Sequence, residues 1–237
     1  MRRKKGHDMI DSPQPKNDLQ LKELFSELLE NKTEDEVREV LLSFRQFQSY
    51  YRCAMLEIET KFQVLNEEFS LRYDRNPINS IHGRLKNVFS IKDKLQRKNL
   101  PITIESIESN LDDIAGVRII CAFCEDVYYL EKALLQQDDI VLLRRKDYIQ
   151  NPKENGYRSL HLVVSVPIFL SNEKRMTKVE VQIRTVAMDS WASLEHQLRY
   201  KKDIDNSAEI EHELLTCAEL SRELDMRMNH LRERIIT

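Results

Sequence analysis

Residues 179–185 constrain the fold of this chain most strongly, because apolar and polar side chains alternate along them. In a β-strand, successive side chains point to opposite faces, so one face would be apolar and the other polar. The apolar face holds Val179, Val181 and Ile183, and the polar face holds Glu180, Gln182 and Arg184. An ordinary half-buried strand has the same pattern, so the segment predicts a strand with a candidate site on its polar face.

Two other polar motifs lie beside predicted strands. Asp112 and Asp113 precede an apolar, β-branched run that extends to about Phe123 and predicts a largely buried strand. Asn155 and Gly156 form a turn signal ahead of a further strand over residues 160–166. Together with residues 179–185, these motifs favour a functional site over a merely solvated strand face.

The remaining pattern predicts an α+β fold, in which helices cover a mixed β-sheet of about five strands and form N- and C-terminal extensions. Thr33 and Glu36 form a capping box that opens a long helix ending near Tyr73. Other helices are predicted over residues 18–30, 78–98, 127–136, 187–200 and 208–236. Strands are predicted over residues 117–123, 140–145, 160–166 and from 179, with a polar hairpin at 171–175.

The predicted organisation is a flexible tail over residues 1–17, N-terminal helices over 18–77, a catalytic core over 78–201 and a C-terminal helix over 202–237. The apolar stripe of that last helix is imperfect, so packing on its own domain and self-association are both open. The length of 237 residues and the hydrophobic content of 41% suit one domain with helical appendages.

Composition and charge argue against several classes of protein. No run approaches about 18 consecutive apolar residues, and the N-terminus is basic and then polar, which predicts a cytoplasmic protein without a membrane partner. A formal net charge of −3 argues against a general nucleic-acid binder, and nothing in the sequence indicates RNA binding. Cys121 and Cys124 have no second pair to complete a zinc site, so free thiols are expected.

The predicted helix over residues 78–98 has two chemically different faces. At about 100° per residue, four side chains fall within about 80° of one another and form a cationic stripe: Lys86, Ser90, Lys94 and Arg97. A solvated helix face is the ordinary explanation, but such faces usually mix charges and this arc holds no acid. The stripe therefore suits a polyphosphate.

These residues fit the requirements of phosphoryl-type transfer between nucleotides. Such a reaction needs carboxylates that hold a divalent metal, cations around the phosphates, and a group that orients or deprotonates a hydroxyl. Asp113 and Glu180 lie on strands that could be neighbours, so both carboxylates could meet at one Mg²⁺. Arg118 adds a cation, and Tyr157 could stack on a base. The sequence contains neither a Walker A loop nor a dinucleotide-binding glycine motif.

Five motifs occur in the order seen in the synthetase domain of RelA/SpoT homologues, and the chain resembles a small alarmone synthetase over about residues 45–201. The motifs lie at residues 83–86, 112–120, 155–161, 179–185 and 191–196. The resemblance implies a GTP pyrophosphokinase (GTP diphosphokinase) of the stringent response. Such an enzyme transfers pyrophosphate from ATP to the 3′-hydroxyl of GTP or GDP, which yields pppGpp or ppGpp and AMP. It also implies a homotetramer that synthesises alarmone without hydrolysing it.

The resemblance also implies roles for individual residues. Asp113 resembles the family's Mg²⁺ ligand, and Glu180 resembles the glutamate that activates the 3′-hydroxyl, binds metal, or does both. The positions that surround ATP are matched by Arg84, Lys86, Ser90, Lys94, Arg97 and Arg118. The positions near GTP or GDP are matched by Tyr157, which would stack on guanine, and by His161, Gln182 and Asp189. Residues 79–82 depart from the pattern of a product-binding cleft between subunits, which puts product activation in question.

Three further residues are expected to support the site rather than to react. Arg184 and Glu195 would brace it, and Trp191 would belong to the core. Two other functions are compatible with the same residues. A catalytically silent nucleotide sensor or RNA-binding module would keep the fold, but it would not need both Asp113 and Glu180. A nucleotidyltransferase that moves AMP to a hydroxyl would use similar carboxylates but would release pyrophosphate.

Overall fold

A computed structural model describes residues 33–73, 76–199 and 207–236. The tail and the helix predicted over residues 18–30 lie outside the described residues. The elements in chain order are α1 (Glu34–Tyr73), β1 (Ile78–Leu85), α2 (Val88–Arg97), α3 (Ile104–Asn110), β2 (Ala115–Cys121), α4 (Cys124–Leu135), β3 (Val141–Asp147), β4 (Leu160–Phe169), β5 (Lys174–Thr185), α5 (Val186–Arg199) and α6 (Ser207–Ile236).

The five strands form one mixed sheet in the order β1-β2-β5-β4-β3. Strands β2 and β5 pair in parallel, and the other neighbouring strands pair antiparallel. Helix α4 follows β2 along the chain and packs on β2 and β5, while α5 packs on the same two strands. The predicted α+β fold with a mixed sheet of about five strands is confirmed. Glu180 lies on β5, but Asp113 lies just before β2 rather than on a strand; the β2–β5 pairing still makes the two segments neighbours.

The long N-terminal helix begins where the capping box predicted it. The side chain of Glu36 accepts a hydrogen bond from the backbone N–H of Thr33 at 2.7 Å, and the Glu36 N–H donates to Thr33 Oγ1 at 3.4 Å. Because this reciprocal pair satisfies N–H groups that have no partner within the helix, it marks the first turn of α1. The predicted end near Tyr73 is also confirmed.

The helix predicted over residues 78–98 is wrong in its first half. Residues Ile78–Leu85 form strand β1, which pairs antiparallel with β2, and only Val88–Arg97 is helical. The register of β1 shifts between Ile78 and Ser80. Because such an irregularity interrupts the period of two, the apolar spacing resembled that of a helix. Gly83 disfavours a helix, and the β-branched residues Ile78 and Ile81 favour a strand.

Helix α3 (Ile104–Asn110) was not predicted. It contains seven residues, which is too short for a helical period to stand out in the sequence. Its start carries a local signal, since Thr103 Oγ1 accepts a hydrogen bond from the Ser106 N–H at 3.2 Å.

The described residues form two compact units. One contains the residues up to Gln48 together with Asn87–Leu111, and the other contains Ser49–Lys86 and the residues from Asp112 onward. In the second unit, β-strand side chains that are fully buried form the core of the sheet, among them Ile119, Leu162, Val164, Val181 and Ile183. Among the described helices, none is both long and apolar enough to cross a bilayer.

Candidate active site

Polar side chains lie on adjacent strands at matching positions of the sheet. Glu180 of β5 is opposite Gly116 of β2, and Gln182 is opposite Arg118. On the other side of β2, strand β1 places Arg84 opposite Gly116 and His82 opposite Arg118. Since directly paired residues point to the same face, the register gathers these polar side chains on one face of the sheet.

A cavity of about 330 Å³ opens over this face. It is lined by His82, Arg84, Lys86, Asp113, Gly116, Val117, Arg118, Glu180 and Gln182. The two carboxylates that the sequence analysis singled out, Asp113 and Glu180, therefore line one cavity together with three cations. Three of these five charged residues lie on strands, Lys86 directly follows β1, and Asp113 lies in the loop before β2; all five belong to the same compact unit.

The two neighbouring aspartates have different partners. Asp113 Oδ2 lies 2.8 Å from the side-chain Nζ of Lys86 at the cavity. The backbone N–H of Lys86 donates to the backbone carbonyl of Ile114 at 2.8 Å. Asp112 instead pairs with Arg144 at 2.7 Å and with Lys178 at 3.1 Å. The Asp112 ion pairs hold the segment before β2, and Asp113 is the aspartate of the pair that faces the cavity.

Glu180 is held by side chains of its own and the neighbouring strand. Its Oε1 lies 3.3 Å from His161 Nδ1, and its Oε2 accepts a hydrogen bond from Gln182 Nε2 at 2.9 Å. Burial acts to raise the pKa of Glu180, but the interactions with His161 and Gln182 outweigh burial, and the pKa lies below its ordinary value. The carboxylate is therefore ionised at neutral pH, as a metal ligand or a proton acceptor must be.

A hydrogen-bond network connects Glu180 to Tyr157 and beyond. His161 Nε2 lies 2.8 Å from the Tyr157 hydroxyl, which also accepts a hydrogen bond from Arg184. Arg184 donates to Asp189 at 3.2 Å, and Arg118 reaches the same Asp189 oxygen at 3.3 Å. The network thus links residues predicted to contact GTP with Arg118, which was predicted to contact ATP.

The turn that carries Tyr157 depends on a glycine. Gly156 has a φ of +84°, in the left-handed region that favours glycine, and its N–H donates to the Lys153 carbonyl at 2.8 Å. The Tyr157 N–H donates to the Asn155 side chain at 3.3 Å, and Asn155 donates to Glu195 at 3.1 Å. These bonds fix the backbone conformation from which the Tyr157 ring projects.

The supporting residues have the contacts that their predicted roles require. Trp191 is buried, and its indole N–H donates to the Leu214 carbonyl at 2.9 Å. Arg184 is also buried, with the centre of its guanidinium 5.0 Å from the centroid of the Tyr157 ring.

Three predicted ATP-contacting residues lie on α2, in the other compact unit: Ser90, Lys94 and Arg97. Lys86 is not on that helix, because β1 ends at Leu85 and α2 begins at Val88. The prediction that four residues form a cationic stripe on one helix is therefore wrong. Three of the four residues do lie on α2. Their contact with ATP stays a prediction.

Two residues of the site were missed. His82 lines the cavity, and had the segment been recognised as a strand, the period of two from Arg84 would have indicated it. Lys153 places its ammonium 4.6 Å from the centroid of the Tyr157 ring and 4.7 Å from that of Tyr148. Such distances allow cation–π attraction. No sequence signal marked Lys153 beyond its closeness to the Asn155–Gly156 turn.

The family model described as "Region found in RelA / SpoT proteins" matches residues 83–205, which is more than half of the chain. The chain belongs to the RelA/SpoT family. It is 40% identical to the GTP pyrophosphokinase YwaC of Bacillus subtilis (strain 168) over 201 residues, which cover 85% of this chain and 96% of YwaC. It is 36% identical to the GTP pyrophosphokinase YjbM of the same strain, over 77% of this chain and 85% of YjbM.

Solved structures give the same relationship. The crystal structure of small alarmone synthetase 1 from Bacillus subtilis bound to its product pppGpp matches with a TM-score of 0.74 and 35% identity, over 81% of this chain and 98% of that one. Small alarmone synthetase 2 from the same organism matches with a TM-score of 0.73 and 39% identity, over 81% of this chain and 98% of that one. The predicted family and fold are therefore confirmed for this member of the RelA/SpoT family.

Proposed function

We propose that this RelA/SpoT-family chain transfers the pyrophosphate group of ATP to the 3′-hydroxyl of GTP or GDP at the cavity between β1, β2 and β5. The predicted enzyme class, a GTP diphosphokinase, is confirmed by two relatives that are both GTP pyrophosphokinases. The observation that carries the assignment of the site is that Asp113 and Glu180 line one cavity with Arg84, Lys86 and Arg118.

The three cations suit the donor side of the reaction. Release of AMP requires the bond between the β-phosphorus and the α–β bridging oxygen to break, so negative charge builds up on the leaving α-phosphate. Arg84, Lys86 and Arg118 supply fixed positive charge beside this reaction, and such preorganised charge stabilises a transition state without reorganisation. The contacts of Ser90, Lys94 and Arg97 with ATP rest on the family resemblance alone.

Mg²⁺ is the metal that this donor set fits. Among the described residues, no group of three or more His, Cys, Asp or Glu side chains could hold a metal by itself. Mg²⁺ does not need such a group, since it commonly binds one or two carboxylates and completes its shell with phosphate oxygens and water. Asp113 and Glu180 would hold it, and it would neutralise phosphate charge. Lys86 is the group with which the metal would compete for Asp113.

Glu180 and its neighbours suit the acceptor side. A guanosine nucleotide whose base lies on Tyr157 would extend along the network towards Glu180, since His161 contacts both residues. The 3′-hydroxyl oxygen would bond to the β-phosphorus of ATP, and its proton would pass to the Glu180 carboxylate. Gln182 and Asp189 would contact the same nucleotide.

Labelled nucleotide tests the proposal directly. Incubation with ATP labelled at the γ-phosphate, GTP and Mg²⁺ should move the label into a guanosine pentaphosphate, with unlabelled AMP as the second product. Glu180→Gln is the matched negative control because it keeps the size of the side chain. Release of pyrophosphate with AMP attached to the acceptor would establish a nucleotidyltransferase instead. Nucleotide binding without any turnover would favour a silent sensor.

Helix α6 supports the proposal of a homotetramer. Five apolar side chains at spacings of three and four residues are exposed along it: Leu220, Leu224, Met228, Leu231 and Ile235. The exposure reaches 82% at Ile235, and a continuous exposed apolar stripe of this kind is typical of a surface that another chain covers. Light scattering should give four times the monomer mass, and the double substitution Leu224→Glu and Leu231→Glu should lower this mass.

We also propose a cytoplasmic location, where ATP and GTP are available.

A further inference from the structure

A buried ion pair joins α6 to the residue that follows Tyr157. Arg158 Nη1 lies 3.1 Å from Asp225 Oδ2, and only 8% and 5% of the two side chains are exposed. Burial raises the pKa of Asp225, and the side chain of Thr185, the last residue of β5, acts against this rise. The pair therefore connects α6 both to the residues just before β4 and to the end of the strand that carries Glu180.

Desolvation limits what this pair can add to the stability of the fold. Burying two charges has a desolvation cost that their attraction roughly offsets, and apolar residues of similar volume often hold a structure as well or better. An ion pair differs from apolar packing in that its attraction depends on the distance between two charged groups, here 3.1 Å between Arg158 Nη1 and Asp225 Oδ2. The Arg158–Asp225 pair is thus better explained by the geometry that it imposes on the adjacent turn.

Other contacts of α6 reach the same turn. Ala218 packs so closely on Gly156 that a Cβ added to Gly156 would lie 2.5 Å from the Ala218 Cβ. The Tyr157 side chain packs against a buried cluster of Trp191, Ala192 and Ala218. One helix therefore contacts Gly156, supports Tyr157 and pairs with Arg158, which are three consecutive residues.

We propose that Asp225 is a positioning residue for the guanosine nucleotide, because through Arg158 it holds Tyr157 in the orientation that stacking on the base requires. This role rests on the proposed function, which assigns Tyr157 to guanine. Binding couplings are reciprocal, so a guanosine nucleotide that fixes Tyr157 must also stabilise α6. ATP, which the proposed function assigns to other residues, has no such effect on α6.

Hydrogen exchange on the unmodified chain tests this coupling without any substitution. Saturating GDP should slow amide exchange of α6 residues 214–226 by about threefold or more, because the nucleotide shifts the opening equilibrium of the helix. ATP at saturation is the control and should leave these rates unchanged. Equal protection by ATP and GDP, or no protection by GDP, would overturn the positioning role.

Steady-state kinetics of Asp225→Asn supply the second test. This substitution keeps the shape of the side chain but removes its charge, and the KM for GTP and GDP should rise about tenfold while that for ATP stays within about twofold. Arg222→Gln is the matched control, since it removes an exposed ion pair with Glu219 on the same helix and should change neither KM. Equal increases for ATP and GTP would show that α6 merely supports the fold.

The two proposals fail in different ways. If Tyr157→Ala raises the KM for GTP and Asp225→Asn does not, the positioning role is lost and the proposed function stands. If the unmodified chain forms no guanosine pentaphosphate, the proposed function itself is contradicted. Should Asp225→Asn not fold, the exchange rates of the unmodified chain still decide the question.

Discussion

His161 bridges Glu180 and Tyr157, with Nδ1 3.3 Å from the glutamate carboxylate and Nε2 2.8 Å from the tyrosine hydroxyl. A neutral imidazole satisfies both contacts if Nδ1 donates to Glu180 and Nε2 accepts from Tyr157. The tyrosine oxygen can then accept from Arg184. The carboxylate assigned to the reacting hydroxyl and the ring assigned to the base are thus held by one side chain.

Glu180→Gln should abolish transfer while leaving nucleotide binding largely intact. The amide keeps the size of the side chain but can neither accept the hydroxyl proton nor contribute a negative charge to a metal site. A fall in kcat of about 10³-fold or more is expected, with dissociation constants for GTP and ATP within a few-fold of the original. Turnover equal to that of the unmodified enzyme would remove Glu180 from the mechanism.

Tyr157→Ala should raise the KM for GTP and GDP with little change for ATP. Loss of one base–aromatic stack costs about 1–3 kcal/mol, which corresponds to an increase in KM of roughly 5- to 150-fold. Tyr129→Ala is the matched control, because Tyr129 is a partly exposed aromatic residue on α4 whose ring lies 4.8 Å from that of Phe69. Equal losses for GTP and ATP would contradict the stacking role.

Gln182→Leu should move the acid limb of the activity profile to higher pH. The pKa of Glu180 lies below its ordinary value, with burial opposed by donors that include Gln182. The ionised Glu180 carboxylate therefore stabilises the fold at pH values above the ordinary pKa of a glutamate. This contribution disappears as the pH falls through the depressed pKa of Glu180. Without the Gln182 amide the pKa rises, so protonation begins at higher pH. The pH dependence of kcat/KM measures this shift, and an unchanged acid limb would mean that another group controls it.

Alkylation should distinguish the four cysteines, all of which are free. Burial raises the pKa of Cys124 to about 11, and the nearby Asp225 carboxylate adds to this rise. Burial also raises the pKa of Cys121 well above its ordinary value. Because the thiolate is the reactive form, iodoacetamide at neutral pH should modify exposed Cys217 and leave Cys121 and Cys124 intact. Mass spectrometry of the folded chain checks this. Equal labelling of Cys124 and Cys217 would contradict the partly buried environment of Cys124 and its raised pKa.

Sequence patterns predicted the parts of the site that lie on regular strands. The alternation around Glu180 and the acidic pair before β2 were sufficient to expect two carboxylates on neighbouring strands, and β2 and β5 are neighbours. The register that sets Gln182 opposite Arg118 depends on pairing between distant segments, which no local pattern encodes. His82 was missed for a related reason, because an irregular strand gave β1 the apolar spacing of a helix.

The buried pair of Arg158 and Asp225 was equally inaccessible to sequence reasoning. The two residues are far apart in sequence, and charged residues ordinarily lie at the surface. Helical periodicity identified α6 correctly but could not show that a charge on it points inward. Contacts between a terminal helix and a turn are tertiary, and they emerge only once the sheet has brought the turn to its place.

Gly156→Ala should destabilise the chain, whereas Gly116→Ala should not. A residue other than glycine at φ +84° is strained by about 1–2 kcal/mol, and the new Cβ would also lie 2.5 Å from the Ala218 Cβ. Gly116 is the matched control, because a Cβ there would meet its nearest atoms at 3.8 Å, an ordinary contact. We expect a loss of about 2 kcal/mol or more in the free energy of unfolding for Gly156→Ala, and a change below about 1 kcal/mol for Gly116→Ala. Urea denaturation of both variants measures the difference, and equal stabilities would mean that α6 can move away from the turn without cost.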